Sequence, residues 1–140
     1  MKKTICVLLL LCIVLTAAGC AQACKTENAK IDLGESALYS VEDRQAAVDY
    51  IVNRLFKNNV VKELYAVRYA GDDRSQEEQA YYVDAEQLAF DEIIVFLTDF
   101  RSARGVKAGS LNPNENYTDY AYILGRETGG DWEFVTGGYG

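Results

Sequence analysis

The sequence contains no histidine and one proline, and its four cysteines all lie within the first 24 residues. Without histidine the chain cannot form a serine-histidine or cysteine-histidine pair. After residue 24 it also has no cysteine, so that part of the chain lacks the histidine and cysteine ligands of almost every zinc site. No nucleophile elbow and no glycine-rich phosphate-binding loop occurs either. These absences exclude the commonest hydrolytic and nucleotide-dependent chemistries and leave carboxylates as candidate acid and base groups.

The start of the chain has the layout of an export signal. Two lysines follow Met1, an uncharged apolar run extends from Ile5 to Leu15, and small residues precede Cys20. A basic start, a short apolar middle and a small-residue cleavage site are typical of a secretory signal peptide. A membrane-spanning helix needs roughly 20 apolar residues, which is more than this run provides. We therefore predict that residues 1–19 are a signal peptide.

The cleavage site, Ala17-Ala18-Gly19-Cys20, resembles the lipobox of bacterial lipoproteins, although alanine stands at position 17 where leucine is usual. In that family the cysteine thiol receives a diacylglycerol and becomes the new N-terminus. The resemblance implies that Cys20 is the lipidation site and anchors the protein in the lipid bilayer, on the extracytoplasmic face of the cell membrane. Anchoring would be firm, because each buried methylene adds about 0.8 kcal/mol. The alternative is an ordinary signal peptide that releases the protein.

Cleavage before Cys20 would leave 121 residues with 12 basic and 21 acidic side chains, a formal net charge of -9. A surface this acidic repels phosphodiesters, so we expect no nucleic acid partner. With Cys20 lipidated, Cys24 is the only remaining cysteine, either as an idle thiol or in a mixed disulfide with a neighbour. The length suits a single domain with one core.

Residues 21–37 are small, polar or charged and show no apolar periodicity. We therefore predict that residues 20–38 are the lipidated cysteine and a flexible tether, and that residues 39–140 form the single domain. A tether of this length reaches about 20 to 25 Å.

Apolar periodicity and turn residues predict six elements in the domain. Ser40 and the acidic residues after it favour a helix start, and Ser75-Gln76-Glu77-Glu78 matches a capping box. Gly129-Gly130 predicts a two-residue hairpin turn, and residues 137–140 a flexible end. The predicted elements are helix 41–57, strand 64–70, helix 76–89, and strands 92–100, 117–126 and 132–135, with a long loop at 102–116. This order predicts an α+β fold, an antiparallel sheet of about four strands with one or two helices packed on one face.

Six residues are candidates for binding a ligand or partner: Tyr69, Asp72, Asp99, Arg101, Tyr120 and Trp132. Asp99 continues an apolar row of β-strand residues, and a carboxylate there needs a partner, for which Arg101 is placed on the same face. Asp99 is then either a strand end reaching water or a polar group at a pocket mouth. Tyr120 and Trp132 either pack across strands or form an exposed aromatic face. The acidic residues around Asp72 fit a solvated turn.

Metal and cofactor sites are not expected. Asn112, Asn114 and Asn116 alternate as calcium ligands do, but Tyr117 stands where glycine is needed and Ile123 where glutamate is needed. An asparagine-rich turn is the preferred interpretation, with an irregular calcium site as the alternative.

Four segments are similar to a family of short lipoproteins of Gram-positive gut anaerobes that is known only as a domain of unknown function: Tyr69–Asp72, Ile94–Phe100, Ser110–Asn114 and Gly130–Tyr139. The similarity would cover about residues 40–140 and implies export and anchoring, with no activity. The element order also resembles the cystatin and nuclear transport factor two-like architectures, in which a curved antiparallel sheet cradles a helix.

The sequence thus favours a non-catalytic module that binds a small ligand or an extracytoplasmic protein through a sheet face and the 102–116 loop. One alternative is a carboxylate-based hydrolase that uses Asp99 with Asp119 or Glu92. Another is a cystatin-like inhibitor of an exported protease, which requires an exposed wedge of loops.

Overall fold

The structure, a computed structural model, describes residues 26, 28–57, 60–106 and 109–139. The elements in chain order are β1 (Lys30–Asp32), α1 (Val41–Lys57), β2 (Val61–Tyr69), α2 (Asp72–Gln79), a π-helical segment (Ala80–Ala85), β3 (Glu92–Ser102), β4 (Asn116–Arg126) and β5 (Glu133–Gly138). The strands form one sheet in the order β1-β2-β3-β4-β5, antiparallel except for the first pair. The predicted α+β class is confirmed, with five strands instead of about four. In the described part of the chain no helix has the length and apolarity to cross a bilayer.

Strand β1 lies inside the segment predicted as a tether. It pairs in parallel with β2, so that Lys30 and Asp32 stand opposite Ala66 and Arg68. All three β1 residues are exposed, so the strand is held by backbone pairing and leaves no apolar pattern in the sequence. The predicted tether is therefore wrong from Lys30 onward, and the ordered domain begins before residue 39.

Helix α1 has the predicted bounds. The Ser40 hydroxyl accepts the backbone N–H of Asp43 at 3.0 Å, while the Asp43 carboxylate accepts the backbone N–H of Ser40 at 3.2 Å. This reciprocal pairing satisfies amides that the first helical turn leaves without partners. Ala47, Val48 and Ile51 form the buried stripe of the helix.

Strand β3 is the centre of the core, as its continuous apolar run predicts. Ile93, Ile94, Val95 and Phe96 are all fully buried. Successive side chains of a strand point to opposite faces, so β3 divides the apolar interior in two. We call the side with Ile94 and Phe96, which packs against α1, the first face, and the side with Ile93 and Val95 the second face.

Helix α2 and the π-helical segment follow each other without a break, and we call them together the second helical region (Asp72–Ala85). This region covers the second face, whereas α1 covers the first. Tyr82 and Val83 of the π-helical segment pack with Ile93 and Val95. Of the one or two helices predicted on one face, α1 alone covers the first face. The other face has its own cover, because a strand that is apolar on both sides needs one on each.

The capping box at Ser75 does not begin the second helix. The helix begins at Asp72, after Gly71 at φ 101°, and Ser75 lies inside it with no exposed area. The Ser75 hydroxyl accepts the backbone N–H of Val95 of β3 at 3.3 Å, at a position that the neighbouring strand β2 does not reach. The hydroxyl thus satisfies a buried strand amide. Tyr81 and Leu88, which share one face of the predicted helix 76–89, are both exposed.

The last hairpin differs from its prediction at both ends. The β4–β5 connection runs from residue 127 to residue 132, so the two-residue turn is wrong. Within this connection Gly129 has φ 72°. The Asp91 carboxylate accepts the backbone N–H of Thr128 and so ties the connection to the start of β3. Gly137 and Gly138, predicted as a flexible end, belong to β5.

Phe96→Ala should lower the free energy of unfolding by about 3 to 5 kcal/mol, because it leaves a cavity in a fully buried site. Chemical denaturation measures the loss. Tyr65→Ala is the control: this aromatic ring on the neighbouring strand is 38% exposed, and its removal should cost much less. Equal losses for the two variants would contradict the assignment of the core to β3.

Candidate functional site

The six residues selected from the sequence do not converge on one site. They lie in three places: at the β2–α2 junction (Tyr69 and Asp72), near the end of β3 (Asp99 and Arg101), and in the buried aromatic cluster of the first face (Tyr120 and Trp132). Each place has a structural role that can be read from its contacts.

Asp72 fastens the segment before α1 to the start of α2. Its carboxylate accepts hydrogen bonds from the Ser36 hydroxyl, the Ala37 backbone N–H and the Tyr69 hydroxyl at 2.5, 2.8 and 2.7 Å. The hydrogen bond from Ser36 holds the pKa of Asp72 below its usual value. Because its oxygens are engaged within the chain, we interpret Asp72 and Tyr69 as structural residues.

Asp99 is paired with Arg68 of β2, not with Arg101. Its carboxylate accepts two guanidinium N–H groups of Arg68 at 2.7 and 2.9 Å and the backbone N–H of Asp119 at 2.9 Å. The Asp119 carboxylate binds the same guanidinium at 2.6 Å. Register shifts in β2 and β4 flank Asp99, and Asp119 has φ 54°. Asp99 therefore clamps two irregular strands onto β3.

The guanidinium of Arg68 holds the pKa of the Asp99 carboxyl below its usual value, so this group is ionised near neutral pH. A carboxyl with a depressed pKa is a poor general acid. Arg101 is half-buried and its Nε has no hydrogen-bond partner within the described residues. Neither residue lines the groove described below.

Tyr120 and Trp132 pack across strands, and an exposed aromatic face is wrong for both. They are 6% and 4% exposed. Tyr120 lies among Phe100, Tyr117 and Tyr122, with ring centroids 5.5 to 5.8 Å away. The Trp132 indole N–H donates to the backbone carbonyl of Asp43 at 3.1 Å.

Arg126, which the sequence reasoning missed, joins three elements beside Trp132. Its side chain is 10% exposed and pairs with Asp43 of α1 at 2.7 Å and Glu92 of β3 at 2.5 Å. Its guanidinium lies 4.2 Å from the centroid of the Trp132 ring. The hydrogen bond from Arg126 also holds the pKa of Asp43 below its usual value. Glu92, a candidate partner of Asp99, is thus engaged at the opposite end of β3.

The long loop between β3 and β4 is tied to the sheet. The Ser102 hydroxyl donates to the Asn112 carbonyl and accepts the backbone N–H of Glu115. The backbone N–H of Asn112 donates to the Tyr117 hydroxyl at 2.7 Å. Over residues 26, 28–57, 60–106 and 109–139, no group of three acidic, cysteine or histidine residues is placed to hold a metal ion.

A groove of about 420 Å³ lies on the second face, between the second helical region and the last two strands. Its volume is in the range of small-ligand sites. We call it the second-face groove. Four residues form its helical wall and six others its floor and end: Arg74, Glu78, Tyr81 and Tyr82, then Ala121, Ile123, Thr136, Gly137, Gly138 and Tyr139.

The helical wall carries the polar and aromatic groups of the groove. Tyr81 is 52% exposed and contacts Tyr82 edge to face, with ring centroids 4.8 Å apart. Burial raises the pKa of Tyr82, so its hydroxyl stays protonated. Arg74 pairs with Glu78 at 2.5 Å, yet the Nε of Arg74 has no acceptor within the described residues. Both tyrosines belong to a π-helical segment, a rare conformation that is frequent at functional sites.

Strand β5 ends in two glycines, and the second of them leaves the floor of the groove open. A Cβ on Gly137 would lie 3.1 Å from the Tyr120 ring and 3.2 Å from the Ala121 carbonyl, so this glycine lets the first-face tyrosines pack. A Cβ on Gly138 would meet nothing within 4 Å. The missing side chain of Gly138 therefore leaves room in the groove.

The lining of the groove carries groups that can bind a ligand. It offers aromatic faces, hydroxyls and a guanidinium, which recognise flat or hydrogen-bonding groups. Its one carboxylate, Glu78, is paired with Arg74. The sequence reasoning missed this site, because its walls are brought together by sheet pairing between distant segments.

Comparisons with family models, with curated proteins and with solved structures gave no match. The resemblances to lipoproteins and to the cystatin and nuclear transport factor two-like architectures stay predictions. Lipidation of Cys20 and the state of Cys24 also stay predictions, since both residues lie outside the described residues.

Asp99→Asn should lower the free energy of unfolding at pH 7 by about 1 to 3 kcal/mol, because charged hydrogen bonds are lost. The folded-state pKa of Asp99 is depressed, so its contribution is present above the unfolded value of about 3.9 and is lost as the pH falls through the folded value. The difference between wild type and variant should therefore shrink in acid. Urea unfolding at pH 7 and pH 3 measures both differences.

Asp84→Asn is the matched control, because this carboxylate is exposed and outside the clamp. It should change stability little at either pH. A wild-type advantage over Asp99→Asn that is the same at both pH values would contradict the ionised clamp.

Proposed function

We propose that this protein is an exported lipoprotein, anchored through Cys20, whose domain binds an extracytoplasmic ligand in the second-face groove without catalysing a reaction. The observation that carries the binding role is the groove itself. Exposed Tyr81, the Arg74–Glu78 pair and the open floor at Gly138 provide stacking, hydrogen bonding and space.

The non-catalytic assignment is supported by the positions of the candidate carboxylates. Asp99 and Asp119 share the guanidinium of Arg68, and Glu92 pairs with Arg126. Each is engaged in holding strands together, so none is left poised beside the groove. Export and anchoring are supported by the basic start, the short apolar run and the small residues before Cys20.

Ligand binding in the groove predicts a rise in the thermal unfolding midpoint of the mature protein, purified in detergent, with one class of compound. The panel comprises divalent cations, cell-wall fragments, sugars and peptides. A ligand at about 100 times its dissociation constant adds about 2.7 kcal/mol, which raises the midpoint of a domain this size by several degrees.

Gly138→Trp should abolish that shift, because the indole would project into the groove from a position where an added Cβ meets no protein atom within 4 Å. Gly105→Trp is the matched control, since Gly105 lies in an exposed loop where an added Cβ also meets nothing within 4 Å. If Gly138→Trp keeps the full ligand-induced shift, the groove is not the binding site.

Cys20→Ser should abolish incorporation of an alkyne-labelled fatty acid. It should also shift the protein out of the membrane fraction that detergent extracts. The thioether bond to diacylglycerol requires the thiol. Metabolic labelling followed by membrane fractionation measures both effects. Cys24→Ser should label and fractionate as the wild type does, and labelling that survives Cys20→Ser would refute this anchor.

A further inference from the structure

Strand β5 leaves one edge of the sheet without a partner strand. It is the last strand in the order β1-β2-β3-β4-β5 and pairs only with β4 among the described residues. One backbone amide near its start is already used, since the N–H of Phe134 donates to the Tyr50 hydroxyl of α1 at 3.1 Å. The stretch with free edge positions is therefore residues 135–138. Unpaired strand edges are templates for an added strand.

The free edge coincides with the open side of the second-face groove. The helical wall stands on one side, β4 and β5 form the floor, and Tyr139, the residue after β5, lies at the end of the groove. An extended chain paired with β5 would supply the missing wall. Alternate side chains of that chain would point to the second face, over Gly138 and towards Tyr81.

The edge lacks most of the features that block strand addition. Residues 135–138 contain no lysine and no proline, and Gly137 and Gly138 present bare backbone. A register shift between Ile123 and Leu124 places a bulge at Val135, at the start of this stretch and next to the amide that Tyr50 accepts, so the regular part of the edge is residues 136–138. Edge lysines, prolines and covering helices are the common protections, and they are missing from this stretch.

The charge of the last hairpin indicates the chemistry of the incoming chain. Residues 127–139 include Glu127, Asp131 and Glu133 and no basic residue. All three are exposed. A second copy of this acidic protein would bring like charges together at this edge, whereas a basic segment would be attracted.

We propose that the β5 edge accepts an extended, lysine- or arginine-bearing segment of an extracytoplasmic polypeptide as a sixth strand, with one side chain in the second-face groove. This inference rests on the proposed binding function and names its ligand class. Backbone hydrogen bonds to β5 supply affinity, and the groove and the acidic hairpin supply selectivity.

Fluorescence anisotropy tests this with the mature protein in detergent and a labelled, N-acetylated octapeptide that alternates lysine with valine or threonine. Two matched peptides are measured beside it, one methylated on alternate backbone nitrogens and one with glutamate in place of lysine. We expect the first peptide to bind most tightly, with each change weakening binding by about tenfold, as the loss of one or two hydrogen bonds or ion pairs would.

Glu133→Lys should weaken the lysine peptide several-fold, and Glu35→Lys, the same charge change at an exposed site near β1, should not. Equal binding of the methylated peptide would indicate ionic adsorption and overturn the sixth strand. Dimerisation of the wild type through this edge, seen by analytical ultracentrifugation and removed by Gly138→Trp, would overturn it in favour of a second copy.

The two proposals fail differently. No binding of any octapeptide, together with a thermal shift from sugars or wall fragments that Gly138→Trp removes, overturns the peptide ligand and leaves the groove function standing. Peptide binding that resists both Gly138→Trp and backbone methylation overturns both.

Discussion

The fold depends on one constraint, the burial of β3 on both faces. Each residue from Ile93 to Phe96 is removed from water, and a strand in this position is stable only when both sides of the sheet are covered. Helix α1 covers the first face with a regular apolar stripe. The shorter second helical region covers only part of the second face, and the second-face groove is the part left open.

The charged residues of the sheet serve this arrangement. Arg126 links the start of α1 to the beginning of β3. Arg68 binds Asp99 near the end of β3, where the neighbouring strands β2 and β4 both have register shifts. Each guanidinium is shared by two carboxylates, which offsets the cost of taking the charges out of water. Arg68 and Arg126 thereby cross-link elements of the fold, and this role differs from the ligand-binding role that Asp99 suggested in the sequence.

Elements determined by local pattern were predictable, and those determined by pairing were not. Helix α1 follows from the spacing of Val48 and Ile51, and β3 from its apolar run. Strand β1 has no apolar residue in the core, so only its backbone register with β2 reveals it. Ser75 matches a helix cap in the sequence, yet its hydroxyl serves a β3 amide 20 residues away. The groove was missed for the same reason, since Tyr81 and Gly138 are far apart in the sequence and only the folded sheet brings them to one groove.

If the chain is anchored at Cys20, as we propose, the position of β1 decides which edge of the sheet the anchor holds. Lys30 lies ten positions after Cys20, and a chain of that length spans at most about 36 Å. An anchor at Cys20 would thus hold the β1 edge within that distance of the bilayer. The β5 edge lies four strand spacings away across the sheet, about 19 Å from β1. The proposed anchor and the proposed binding edge would therefore lie on opposite sides of the sheet.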